Sequence, residues 1–169
     1  GGDLNVRERA PEHLQAELAD EGAHAGVTGR KVARGDAGHA ALRVERHLRG
    51  ELLVLLHDES LAMHGGASGL RDAGLLESAL SRPLNLAAYG EPDVAALAAS
   101  YASGLAQNHP FVDGNKRAAF LSVGLFLGLN GHRLTASQAE ATVAVFGLAA
   151  GDIDEATFAA WLRDRIAPR

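Results

Sequence analysis

Apolar residues recur along most of this chain at helical rather than alternating spacing, and the regular signal begins near Gly50. ELLVLLHDESLAMH predicts one helix, stopped by the Gly65-Gly66 pair. Asp72 stands where an N-cap belongs for GLLESALSR, a helix that Pro83 should end. Asp93 has the same place before the longer VAALAASYASGLAQN. The segment Ala118 to Gly131, AAFLSVGLFLGLNG, is apolar on nearly every side and is therefore expected to be the central helix. Gly124 and Gly128 share one of its faces, where a neighbouring helix is expected to approach closely, and Asn130-Gly131 is its stop. Ser137 and Glu140 have capping-box spacing for the next helix. Asp154 caps the last, EATFAAWLRDRI, which sets Phe158, Trp161, Leu162 and Ile166 on one side. No run alternates with period two, although Leu86 to Tyr89 reads as a short extended stretch. The predicted fold class is all-α, a helical bundle.

Composition agrees and adds limits. With 47% hydrophobic but only 5% aromatic residues among 169, the core must be built from small and γ-branched aliphatic side chains, which favours helices. Residues 1–47 differ from the rest: GAHAGVTGRKVARGDAGHAAL has glycine too often for a stable helix, and one short helix near Pro11 to Asp20 is the exception expected there. The chain thus divides into a weakly structured N-terminal extension, 1–47, and a globular domain, 48–169. A formal charge of -5 argues against general affinity for nucleic acid or an anionic membrane. The absence of cysteine excludes disulfides, thiol catalysis and Cys-ligated zinc. No segment has the ~18 uninterrupted apolar residues of a membrane span, and a soluble, cytoplasmic protein is the expectation.

Chemistry concentrates in HPFVDGNKR, His109 to Arg117, between one amphipathic helix and the apolar one. Pro110 discourages helix at His109, so the imidazole is expected where the chain turns. Asp113 and Gly114 are turn formers, and Asn115, Lys116 and Arg117 fall in the first helical turn, whose free N–H groups and positive dipole end attract anions. Lys116 adds a point charge and Arg117 a fork suited to phosphate oxygens. A lone carboxylate beside a phosphate cradle, Asp113, suits magnesium, and His109 suits proton transfer near neutrality. Phe111, between Pro110 and Val112, is read as a core plug that fixes the loop. Taken singly, a His at a helix end or an Asp-Gly-Asn turn is more often structural; their joint occurrence is what favours chemistry. Arg71 and Asp72 are read as helix-capping residues in preference to parts of a flap, His57 and His64 as surface or boundary histidines, and Trp161 as a packing residue.

HPFVDGNKR resembles the signature of the Fic/Doc superfamily, and the resemblance extends from about Leu52 to Ile166, with GLRDAGLLESALSRP similar to the Doc (death-on-curing) branch. It implies a helical fold that holds the motif between two central helices. It further implies His109 as general base, Phe111 as core anchor, Asp113 as Mg2+ ligand, and Gly114, Asn115, Lys116 and Arg117 as the nucleotide phosphate site. AMP-transferring Fic proteins continue with Gly after the Asn and have a second Arg three positions past the first; Lys116 and Phe120 occupy those places. Both departures resemble Doc, for which phosphorylation by ATP of a threonine in elongation factor Tu, and neutralisation by a Phd-like antitoxin, are implied. Gly114 stands where Doc tends to have Ala. Two other readings are an AMP transferase and a catalytically silent antitoxin-binding module. ELADEG, Glu17 to Gly22, lacks the Ser or Thr of the self-inhibitory motif and is read as a chance match.

Overall fold

The structure is a computed structural model that describes residues 46–169. The expectations for the N-terminal extension, including its short helix and ELADEG, lie outside the described residues. Helix α1 spans Gly50–His64, α2 Ala73–Tyr89, α3 Val94–Asn108 and α4 Asn115–Leu129. Strand β1, His132–Leu134, precedes α5, Gln138–Ala150, and α6, Glu155–Arg163, and β2, Ile166–Pro168, closes the described chain. The class is all-α with one small antiparallel sheet, β1 against β2, in which Arg133 faces Ala167. Among the described residues no helix is long and apolar enough to cross a membrane.

The helix starts follow from local chemistry. Asp72 accepts from Leu75 N at 3.0 Å, Asp93 from Ala96 N at 2.8 Å and Asp154 from Thr157 N at 2.7 Å. Ser137 and Glu140 form a reciprocal capping box at the start of α5. Helix α1 ends at Gly65, whose φ of 83° suits a residue without Cβ.

Four differences from the sequence-based expectation have tertiary causes. Helix α2 runs through Pro83 to Tyr89, so Leu86 to Tyr89 is helical rather than extended. Pro83 is buried, and the carbonyl it deprives of a helical donor, Ala79 O, lies against α3, where a Cβ on Gly104 would come within 3.1 Å of it. The helix most enclosed is α3 rather than α4: from Val94 to Ala106 every residue but Ala96 is buried, and α3 packs against α2, α4, α5 and α6. Its Ala, Ser and Gly content permits approach on all sides. The close crossing expected at Gly124 and Gly128 is instead at Gly104, because a Cβ on Gly128 would meet only the Arg169 guanidinium, at 4.0 Å, and Gly124 borders a small apolar gap beneath Phe158 and Trp161. Finally, α6 stops at Arg163, and Ile166 leaves it for β2, held by Thr135 N to Arg165 O at 2.7 Å and Arg169 N to Gly131 O at 2.9 Å.

Tyr101 ties the segment before α1 to this core. Its ring packs on Phe126 at 5.1 Å, and its hydroxyl accepts from Leu48 N at 3.1 Å. Helices α3 and α4 thereby become fixed posts, and the turn from His109 to Gly114 hangs between them.

Candidate active site

The turn is anchored from below. Phe111 is 1% exposed and stacks on His57 of α1, ring centroids 3.9 Å apart. Burying a Phe side chain contributes about 1.5–3 kcal/mol, enough to hold a short turn in place. Asn115 then staples the turn to α4: its Oδ1 accepts from Phe111 N at 2.9 Å and its Nδ2 donates to Phe111 O at 3.0 Å. Its side-chain amide therefore serves the loop.

His57 corrects the surface assignment, for it is fully buried, with neither ring nitrogen in hydrogen-bonding geometry. Burial lowers its pKa, and the Arg117 charge lowers it further against the opposing pull of the Gly114 and Asp113 backbone and the Asp58 carboxylate, so the ring is neutral near pH 7. Gly114 rests directly on it. At φ 71° Gly114 is left-handed, and a Cβ there would fall 2.8 Å from His57 Nε2. Its place between Pro110 and Val112 marked Phe111 as a core plug; nothing in the chain announced its partner in α1. His64, by contrast, is exposed, its Nδ1 beside Ser60 O.

Above this floor stand the polar groups. Asp113 Oδ1 accepts from Gly114 N at 2.7 Å and Oδ2 from Ala67 N at 3.2 Å. These backbone donors, Ala67 foremost, and then the Arg117 charge hold the Asp113 carboxyl below the usual range, so it is ionised at neutral pH. Arg117 donates from Nη1 to Gly65 O at 3.1 Å. The Gly65-Gly66 pair thus does more than stop α1, since it brings the following loop onto both Asp113 and Arg117. Helix α4 has no side-chain cap, unlike α2, α3, α5 and α6, so no side chain competes for the N–H groups of its first turn. Lys116 departs from the expected position in the cradle: its Nζ lies over the Phe146 ring of α5, 4.6 Å from the centroid. Phe120 is half-buried against the core.

His109 is exposed and forms the C-cap of α3 in the left-handed region, φ 50° and ψ 55°. Its carbonyl accepts from Arg71. Arg71 therefore does not cap α2, as Asp72 does; it reaches across to the end of α3. Among the described residues no three His, Asp or Glu side chains gather as a metal centre. The lone, ionised and exposed Asp113 beside an uncapped helix start fits a hard cation that takes one carboxylate and draws its other ligands from phosphate.

Residues 47–127 match the Fic/DOC family. The chain is 37% identical over 119 residues to the protein kinase doc of Escherichia phage P1, covering 70% of this chain and 94% of that protein. It is 43% identical over 75 residues to the toxin Doc of Mycolicibacterium smegmatis, 43% of this chain and 57% of that protein. The chain belongs to the Fic/Doc family. Both relatives place it in the Doc branch.

Proposed function

We propose that the chain is a Doc-type toxin of a toxin-antitoxin pair that transfers the γ-phosphoryl group of ATP to a protein hydroxyl, a threonine of elongation factor Tu, and so arrests translation in the cytoplasm. The observation that carries the reading is the uncapped start of α4, with Arg117 and the ionised Asp113 beside it and His109 at the other end of the same turn, where α3 stops. Backbone N–H groups of Asn115, Lys116 and Arg117, with the Arg117 fork, take the phosphate chain, while Gly114 makes the turn and its own N–H is held by Asp113 Oδ1. Asp113 holds magnesium, which when bound neutralises charge on the phosphate oxygens. The target hydroxyl loses its proton to His109 as its oxygen bonds to Pγ; the bond from Pγ to the β-bridging oxygen breaks, and ADP leaves. We assign this activity to residues 48–169. A Phd-like antitoxin is the partner the reading implies.

Phosphorylation is favoured over AMP transfer because Phe120, half-buried against the core, supplies no second cationic clamp. The P1 relative, a protein kinase by name, points the same way. Lys116, parked on Phe146, carries none of this argument. Purified protein with magnesium and elongation factor Tu is expected to pass label from γ-labelled ATP to the factor and none from α-labelled ATP, with His109→Ala inactive. Transfer of the α label instead would establish an AMP transferase, and transfer of neither by a protein that still binds its antitoxin would establish a silent module.

A further inference from the structure

We infer that Arg71 is the positioning residue of the site: its guanidinium fixes the His109 peptide in the one conformation that presents the imidazole to the attacking hydroxyl. The inference rests on His109 being the base.

His109 is the one non-glycine residue of positive φ among the described residues. A left-handed residue with a Cβ is sterically strained, and Pro110 restricts it further. Such a conformation persists only where its surroundings impose it. Arg71 imposes it. Its Nε donates to His109 O at 2.8 Å, and Nη2 donates both to His109 O and, at 3.1 Å, to Asn108 O. These are carbonyls that a helix end leaves without partners, and a cation there also complements the negative end of the α3 dipole. The neighbouring backbone completes the grip: Arg71 N and Asp72 N both donate to Pro110 O, at 2.7 and 3.0 Å, and Val112 N donates to Gly69 O at 3.0 Å. The peptide groups on either side are thus held by main chain. The His109 carbonyl is held by the Arg71 side chain, which pairs with no carboxylate among the described residues. A lysine could offer a point charge but not two nitrogens in a fixed plane.

The test measures steady-state transfer to elongation factor Tu, with whichever ATP label the parent transfers, for Arg71→Ala, Arg71→Lys, Asp72→Ala and His109→Ala. Arg71→Ala is expected to lower kcat about 10- to 100-fold, the scale of a reacting group displaced by an ångström, while the ATP KM stays within about threefold. Arg71→Lys should recover a small part, and added guanidinium ion should restore Arg71→Ala but not His109→Ala. Asp72→Ala loses the α2 cap from the same loop without touching His109, and should lose melting temperature yet keep kcat near the parent's. Parental kcat in Arg71→Ala beside an inactive His109→Ala would overturn the positioning role and leave the base assignment standing. A fall in Arg71→Ala matched by Asp72→Ala at equal loss of melting temperature would overturn it too, as mere loosening. An active His109→Ala would overturn the base assignment, and this inference with it.

Discussion

The crossing of α2 and α3 and the turn from His109 to Gly114 are both places of close approach, but they are built in opposite ways. At the crossing two backbones meet because a side chain is missing: Gly104 sits on Ala79, where an added Cβ would come within 3.1 Å of the Ala79 Cα and carbonyl oxygen. Two hydrogen bonds also join α2 and α3, Asn108 Nδ2 to Leu75 O at 3.0 Å and Arg82 Nη1 to Gln107 Oε1 at 3.2 Å, but neither involves Gly104 or Ala79. In the turn the backbone is directed by side chains, Asn115 from one side and Arg71 from the other, over the stacked rings of Phe111 and His57. The crossing supplies rigidity mainly from shape; the turn supplies a defined direction for each of its backbone groups, which shape alone does not give.

The largest effect should come from filling the crossing. Gly104→Leu at ordinary helical backbone angles places a side chain against backbone atoms that cannot step aside, so α2 and α3 must part. Overpacking of this kind costs about 1–3 kcal/mol, and the absence of a flexible neighbour puts this case near ~3. Gly104→Ala should cost much less, since the helix propensity gained, about 1 kcal/mol, offsets most of a 3.1 Å contact. Denaturant titration of the three proteins measures both steps. Equal stability of the Leu variant and the parent would show that the crossing is not tightly packed.

Next should come Asn115→Ala, which removes both partners of the Phe111 backbone and leaves a partly buried N–H and carbonyl unmatched, at about 2 kcal/mol. Asn115→Asp sharpens the contrast. It keeps the acceptor for Phe111 N but sets a carboxylate oxygen against Phe111 O, so it should recover little despite its similar size. Were Asn115 chiefly a phosphate ligand, either change would alter the ATP KM while leaving thermal unfolding at its parental temperature.

Much of this was legible in the chain because it is local. Asp72, Asp93, Ser137 and Asp154 act within three residues of themselves, and the HPFVDGNKR turn places its own Phe111, Asp113 and Asn115. What was not legible depends on partners far along the sequence. His57 is 54 positions from its Phe111 partner, a separation that no periodicity reports, and it reads as a boundary residue until α1 is laid under the turn. Pro83 read as a terminator because propensity cannot see the burial that carries α2 past it. The enclosure of α3 was hidden by its small residues, which look weakly hydrophobic singly yet permit contact on every side. The β1 and β2 pairing joins segments too short for an alternating pattern.

The smallest effect, and the control on the comparison, concerns a polar contact of the same chemistry on open surface. Asp93 caps α3 through Ala96 N and pairs with Arg163 of α6, their side chains 47% and 51% exposed. If polar contacts stabilise wherever they occur, this one should rival the Asn115 staple; if burial in a turn is what gives the staple its weight, it should not. Asp93→Asn retains a capping oxygen and loses the charge, so the expected cost at pH 7 is under about 1 kcal/mol, as for screened surface pairs. The pH dependence gives the sign. The Arg163 hydrogen bond, foremost, together with the Ala96 N–H, lowers the Asp93 pKa in the fold below its ordinary 3.8. A carboxylate with a depressed folded pKa contributes its stability above the unfolded value and loses it as pH falls through the folded one. The difference in melting temperature between the parent and Asp93→Asn should therefore be constant from pH 7 to about 5 and shrink below about 4. A difference that grew in acid, or that equalled the loss in Asn115→Ala at pH 7, would break the distinction between the directed turn and the surface.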